Sequence, residues 1–131
     1  MPQPLRLIIV DDESFMRDNL AHLFPWEELG YEVASVFANG REALAYLEHN
    51  PADVVLTDIQ MPVMDGLEAT RIIRKMERPD AVQIPIFAMT ANAFSDDRKR
   101  CKEAGMTEHL AKPLNSEKMI AKLRLYYNRK V

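Results

Sequence analysis

With a single cysteine, Cys101, the 131-residue chain cannot close a disulfide on itself, and so sparing a use of thiols fits a reducing compartment. It also lacks a strong excess of either charge. Seventeen lysines and arginines against 20 aspartates and glutamates leave a formal charge of -3, which argues against direct nucleic-acid binding. No apolar run approaches the ~20 residues that span a bilayer, and the amino terminus has no signal-peptide pattern. Internal repeats, linkers and low-complexity stretches are missing as well. These absences leave a cytoplasmic chain with no membrane segment, of a length that suits one domain with a core of two or three layers.

What is present is organised around Val54-Val55-Leu56-Thr57-Asp58-Ile59-Gln60-Met61-Pro62. Val54, Val55 and Leu56 are apolar without alternation and too few for a helix, so they read as a strand buried on both faces. An unpaired carboxylate cannot follow them inward, because its desolvation is too costly. Asp58 is therefore expected at the rim, where the strand meets a loop closed by Pro62, Asp65 and Gly66. Other polar groups follow apolar runs in the same way. Asp11 and Asp12 follow Leu7-Ile8-Ile9-Val10, Thr90 follows residues 84–89, and Lys112 follows Leu110-Ala111.

In chain order, a first strand at 5–10 leads into a helix with Met16, Leu20, Leu23 and Phe24 on one face and Ser14 as its cap. Pro25-Trp26-Glu27-Glu28-Leu29-Gly30 makes a long connection, with Trp26 plugging the end of that helix. A second strand at 32–37, a turn at Asn39-Gly40 and a short helix at 41–49 burying Ala43, Leu44 and Leu47 follow. After the Asp58 strand, Asp65-Gly66 caps a helix whose inner positions are Leu67, Ile72, Ile73 and Met76. The fourth strand is placed at 84–89, then a small-residue loop from Thr90 to Ala93. A polar helix at 95–103 is anchored by Phe94, Cys101 and Ala104, with Gly105 just past its end. A fifth strand at 108–111 precedes Lys112-Pro113. Asn115 or Ser116 caps a last helix with Met119, Ile120, Leu123 and Tyr127 inward. Five alternations of strand and helix predict a doubly wound α/β domain with a parallel sheet covered on both faces.

In such a sheet the binding crevice lies outside the carboxyl ends of the strands, which gathers three carboxylates, a hydroxyl and an ammonium in one place. Three carboxylates repel unless a cation joins them. Hard oxygen donors with little histidine or cysteine nearby select Mg²⁺. An aspartate beside it can act as nucleophile toward phosphorus and become an aspartyl phosphate. Lys112 and the Thr90 hydroxyl would then share in neutralising the phosphoryl oxygens.

Taken together, Asp11-Asp12, Asp58 within Asp58-Ile59-Gln60-Met61-Pro62-Val63-Met64-Asp65-Gly66, Thr90-Ala91 and Lys112-Pro113 resemble the receiver domains of two-component response regulators over nearly the whole chain. The resemblance implies one receiver domain over 1–131 (core about 5–127) with no output domain, and the flavodoxin-like fold with strand order 2-1-3-4-5. It implies that Asp58 accepts phosphate from a sensor histidine kinase or histidine phosphotransfer domain. Asp12, Asp58 and the backbone carbonyl of Gln60 would ligate Mg²⁺, and Asp11 would act through water. Lys112 would pair with the phosphoryl group, and Lys112-Pro113 would be a cis bond. Thr90 and His109 would be the switch residues, His109 standing where tyrosine or phenylalanine is often found. The partner surface would be the face of the family's fourth helix, fifth strand and fifth helix, with a phosphorylation-dependent dimer as one use of it. The first half, with Pro25 to Gly30, is similar to receivers of transcription regulators. The second half, from Met64 through Ala88-Met89-Thr90-Ala91 to Lys112-Pro113, is similar to receivers of hybrid sensor kinases.

Two other functions stand beside this one. A Mg²⁺-dependent aspartyl-phosphate hydrolase of the haloacid dehalogenase kind needs an acid two residues after the nucleophile, where this chain has Gln60, and a cap domain for which there is no length. A pseudo-receiver that binds partners without phosphate usually lacks a site residue, and none is missing here. The chain is thus expected to be a signalling module and not an enzyme. Glu13 reads as a solvated acid, His22 and His49 as surface residues, and Cys101 as a packing residue.

Overall fold

The computed structural model describes residues 3–61, 63–90, 95–112 and 114–130. Five strands form one parallel sheet: β1 (Leu5–Val10), β2 (Tyr31–Phe37), β3 (Val54–Asp58), β4 (Ile86–Thr90) and β5 (Glu108–Ala111). Their order is β2-β1-β3-β4-β5, the doubly wound, flavodoxin-like arrangement expected. Among the described residues six helices accompany the sheet: α1 (Ser14–Leu23), α2 (Trp26–Leu29), α3 (Gly40–Leu47), α4 (Gly66–Arg74), α5 (Ser95–Ala104) and, after the last strand, α6 (Ser116–Lys130).

Why the strands read as continuous apolar runs is plain from the packing. Ile8, Val10, Val55, Ile86 and Ala88 face a core closed by Ala43, Leu44 and Leu47 of α3, Leu67 and Ile73 of α4, and Cys101 and Ala104 of α5. Leu7, Ile9, Val54, Leu56, Phe87 and Met89 face the other core, closed by Leu20 of α1, Trp26 and Leu29 of α2, and Met119, Leu123 and Tyr126 of α6. With both faces covered, alternation has no use. A register shift between Leu7 and Ile8 opposite Val33 and Ser35 puts a bulge in the edge strand β2.

The structure corrects several local expectations. The segment after Pro25 is a helical turn, α2, and Trp26 is buried in it with its indole N–H donating to the Leu20 carbonyl at 2.7 Å, so it does plug the end of α1. Ser14 is the first helical residue and not the cap; Glu13 holds the cap position without a side-chain hydrogen bond. Strand β4 starts after Pro85, since Pro85 has no N–H for the ladder and Ile84 closes a turn onto the Asp80 carbonyl at 2.8 Å. Ile72 is exposed. In α4 the buried face is Gly66, Leu67, Ala69, Thr70 and Ile73, because the Thr70 hydroxyl satisfies itself on the Gly66 carbonyl at 2.7 Å. In α6 Tyr126 is buried more fully than Ile120 or Tyr127. Asp65 is the cap expected, and of Asn115 and Ser116 it is Asn115 that caps α6; they accept from the Glu68 and Lys118 amides at 2.8 and 3.0 Å. Among the described residues no helix is long and apolar enough to cross a membrane.

Candidate functional site

Parallel strands deliver their last residues to one edge, and that edge carries the polar groups. Asp58 is the final residue of β3 and Thr90 of β4, Asp11 and Asp12 directly follow β1, and Lys112 directly follows β5. A crevice of about 180 Å³ opens there, lined by Asp12, Glu13, Asp58, Ile59, Gln60, Thr90 and Lys112.

The loop after β3 is pinned so that Asp58 stays in place. The Thr57 hydroxyl donates to the Asp58 carbonyl at 2.9 Å, and the Gly66 amide donates to the Ile59 carbonyl at 3.2 Å. A Cβ on Gly66 would lie 2.3 Å from the Asp58 carbonyl oxygen, so only glycine lets the start of α4 close onto the strand end. The Gly40 amide ties the loop to α3 through the Met64 carbonyl at 3.0 Å. Within this loop Val63 takes φ +70°, a left-handed backbone that costs a β-branched residue.

Lys112 is the electrostatic centre. Its ammonium donates to Asp11 Oδ2 at 3.0 Å and meets Asp58 Oδ2 at 3.4 Å. Its own amide donates to the Thr90 carbonyl at 2.7 Å, joining the tips of β4 and β5. Asp11 is fully buried, its Oδ1 accepting from the Glu13 amide at 3.0 Å and its carbonyl from Arg17 Nη1 at 2.7 Å. Asp58 Oδ1 accepts from the Gln60 amide at 3.3 Å. Burial raises the Asp58 carboxyl above the ordinary aspartate value; Lys112 pulls it back and Asp11 pushes it up again. Burial works to lower the Lys112 ammonium, but its contacts with Asp11 and Asp58 outweigh this and leave it raised.

Asp11, Asp12 and Asp58 can each offer one carboxylate oxygen, all within 4.8 Å of one another. This hard-oxygen donor set fits a divalent cation of the Mg²⁺ kind. Thr90 is buried and lines the crevice, while Asp65 stands apart as a cap. His109 sits inside β5 opposite Ala88, half-buried, and lines a separate groove with Arg98 and Lys122. The expected cis bond at Lys112-Pro113, the loop residues Ala91 to Phe94, and Pro62 lie outside the described residues. Glu13, read from the sequence as a solvated acid, is exposed but lines the crevice. The sequence reading passed over Arg17, which braces the Asp11 backbone. Arg17 stands four residues after Glu13 on the first turn of α1, the spacing that returns a long side chain to the strand end.

The response regulator receiver domain profile matches residues 7–124. The sensor histidine kinase RcsC of Escherichia coli is 34% identical over 125 residues, covering 95% of this chain and 12% of its own length. The hybrid signal transduction protein dokA of Dictyostelium discoideum is 38% identical over 117 residues, covering 89% of this chain and 7% of its own. The chain thus spans a small part of these relatives. Among solved structures, the receiver domain of sensor histidine kinase PA1611 from Pseudomonas aeruginosa, which has a magnesium ion coordinated in its active-site cleft, aligns with TM-score 0.80 and 34% identity over 94% of this chain and 97% of that one. The chemotaxis response regulator CheY4 of Vibrio cholerae aligns with TM-score 0.81 and 31% identity over 95% and 99%.

Proposed function

We propose that this chain, which belongs to the response regulator receiver domain family, is the phosphoacceptor of a two-component relay of the kind found in hybrid kinases, with Asp58 as the residue modified. The observation that carries this is the placement of the Asp58 carboxylate in the crevice, 3.4 Å from the Lys112 ammonium and beside Asp11 and Asp12. An Asp58 oxygen attacks the phosphorus of a phosphohistidine, a new O–P bond forms as the N–P bond breaks, and the imidazole of the donor leaves with the electron pair. Donors of this type would be a sensor histidine kinase or a histidine phosphotransfer domain.

Asp12, Asp58 and the Gln60 carbonyl would hold Mg²⁺, with Asp11 acting through water; the relative with magnesium in its cleft supports this assignment. When bound, the ion supplies charge neutralisation for the incoming phosphoryl oxygens. Lys112 shares that charge from the opposite side. Asp11 keeps Lys112 aimed, and Thr90 offers its hydroxyl to a phosphoryl oxygen.

The readout proposed is a coupled shift of Thr90 and His109 that alters the face formed by α5, β5 and α6, which are the family's fourth helix, fifth strand and fifth helix once α2 is counted. A phosphorylation-dependent dimer on that face would appear as a change in sedimentation between the two forms. The chain acts as a signalling module in the cytoplasm, with at most slow loss of its own phosphate.

Intact mass after incubation with acetyl phosphate tests the central step. One phosphoryl adduct is expected with Mg²⁺, none with chelator, and none for Asp58→Asn. A folded protein that takes no phosphate under any condition would point instead to a phosphate-independent binding module. Turnover of small phosphomonoesters would point to a hydrolase.

A further inference from the structure

We propose that a cleft at the amino ends of β1 and β2 is a second binding site, one that takes an extended basic segment of a partner protein. This does not rest on the phosphoacceptor reading. The cleft lies at the opposite end of the parallel sheet from Asp58, about 20 Å away by the rise of a six-residue strand. Its volume is about 700 Å³, several times that of the Asp58 crevice.

Its walls are aromatic and its rim is acidic. Trp26, Tyr31 and Tyr127 line it together with Glu27, Glu28 and Glu32, and no lysine or arginine among the described residues does so. The three glutamates are exposed. Among the described residues Glu32 alone of the three has an ion-pair partner, Arg6 at 3.3 Å. That guanidinium also reaches Tyr46, on the sheet face opposite Tyr31, so Glu27 and Glu28 carry the charge of the rim. The polar tips of the two buried aromatics are already engaged, the Trp26 indole with the Leu20 carbonyl and the Tyr31 hydroxyl with the Leu123 carbonyl at 2.6 Å. Trp26 is 6% and Tyr31 2% exposed, so the ring surface open to a ligand is that of the half-buried Tyr127. Aromatic rings beside carboxylates recognise guanidinium and ammonium groups, through the ring quadrupole and through charge.

The shape depends on a specific residue. Gly30 has φ +86°, and a Cβ there would lie 2.2 Å from the Tyr127 ring. Glycine is what allows Tyr127 to lie against the entry of β2, with its ring 6.1 Å from that of Tyr31.

An extended occupant follows from the sheet. Strand β2 is an edge strand that pairs with β1 alone among the described residues, and its Tyr31, Glu32 and Val33 border the cleft. A segment laid along such an edge gains main-chain hydrogen bonds and presents alternate side chains to the cleft. A second copy of the same edge, whose single charged residue is Glu32, would bring no cation to the acidic rim. A chain with alternating basic residues supplies several.

Trp26 is the single tryptophan of the chain, so its emission reports this cleft directly. The full chain is titrated with a short peptide of alternating arginine and valine, with the same peptide carrying glutamate for arginine, and with arginine amide. The expected result is a saturable change in emission with the basic peptide alone, weakened by salt. In the double variant Glu27→Lys/Glu28→Lys, Kd should rise at least about tenfold, the loss expected when rim attraction becomes repulsion. The same variant should still take phosphate at Asp58 as the wild type does, so failure at one site is separable from failure at the other. No saturable change, an equal response to the acidic peptide, or an unaffected double variant would overturn the proposal. Arginine amide binding as tightly as the peptide would also overturn it, in favour of a small-molecule site.

Discussion

Lys112 satisfies two carboxylates at once, and one of them, Asp11, has no exposure to water. Among the described residues, removing the ammonium leaves that charge buried with only the Glu13 amide on its side chain. Lys112→Ala is therefore expected to lose about 3 kcal/mol, the usual cost of breaking a buried pair from one side. Urea unfolding in chelator would measure it, and adding Asp11→Asn should restore most of the loss. Tyr31 is a second residue with a readable cost. Burial pushes its phenol far above the ordinary value of 10.0, and the hydroxyl is held by the Leu123 carbonyl. A group whose folded pKa is raised keeps its full contribution below the unfolded value and loses it as pH rises toward the folded one. Stability should therefore decline from about pH 10 upward. Tyr126, raised by burial and by Glu108, adds to the same trend. Tyr31→Phe should cost about 1 kcal/mol at neutral pH and flatten the alkaline decline, seen in urea midpoints across pH.

At the scale of elements, the β3–α4 loop holds the one positive φ found at a described residue other than glycine, Val63 at +70°. Val63 is 66% exposed, so no packing repays the strain. Val63→Gly should stabilise by about 1 kcal/mol, the relief of a left-handed β-branched residue less the added freedom of the unfolded chain. Thermal melts of both proteins would show it, and a neutral or negative change would mean that the loop has other support. Elements were legible in the sequence where one cause dominates. Both-face burial marked β1, β3 and β4, and Asp65 and Asn115 announced their helices by cap chemistry. Where two causes compete, the sequence misled. Ile72 looked like a core residue until Thr70, with its hydroxyl satisfied inside its own helix, took the inner place. Four residues carry too little periodicity to mark α2, and its evidence, a tryptophan buried against the end of α1, is tertiary.

Across the whole molecule, the order β2-β1-β3-β4-β5 decides what meets what. Asp11, Asp58, Thr90 and Lys112 are far apart in the chain and adjacent in space because each ends or directly follows a strand of one parallel sheet. That convergence could be read from the pattern of apolar runs. The separations within it could not, nor could the bracing by Arg17, since both depend on side-chain reach. Burial raises Asp58, Lys112 pulls it back and Asp11 pushes it up again, with the net shift still upward, so a divalent cation would relieve what Lys112 leaves. Mg²⁺ at a hundredfold its Kd should therefore stabilise the fold by about 2.7 kcal/mol. Calorimetry against Mg²⁺ concentration is the check, with the gain much reduced in Asp58→Asn.

Helix α6 begins just past Lys112 and runs about 22 Å by its fifteen residues, bringing Tyr127 to Gly30, whose carbonyl receives the Leu5 amide at 2.9 Å. The first strand therefore starts, and the last helix finishes, at the same pole of the molecule. An affinity tag, a fluorescent fusion or a surface tether attached at either end would crowd the Trp26 cleft and leave the Asp58 crevice facing away. Immobilised protein is thus the right reagent for phosphotransfer and the wrong one for peptide capture, for which any tag should first be cleaved.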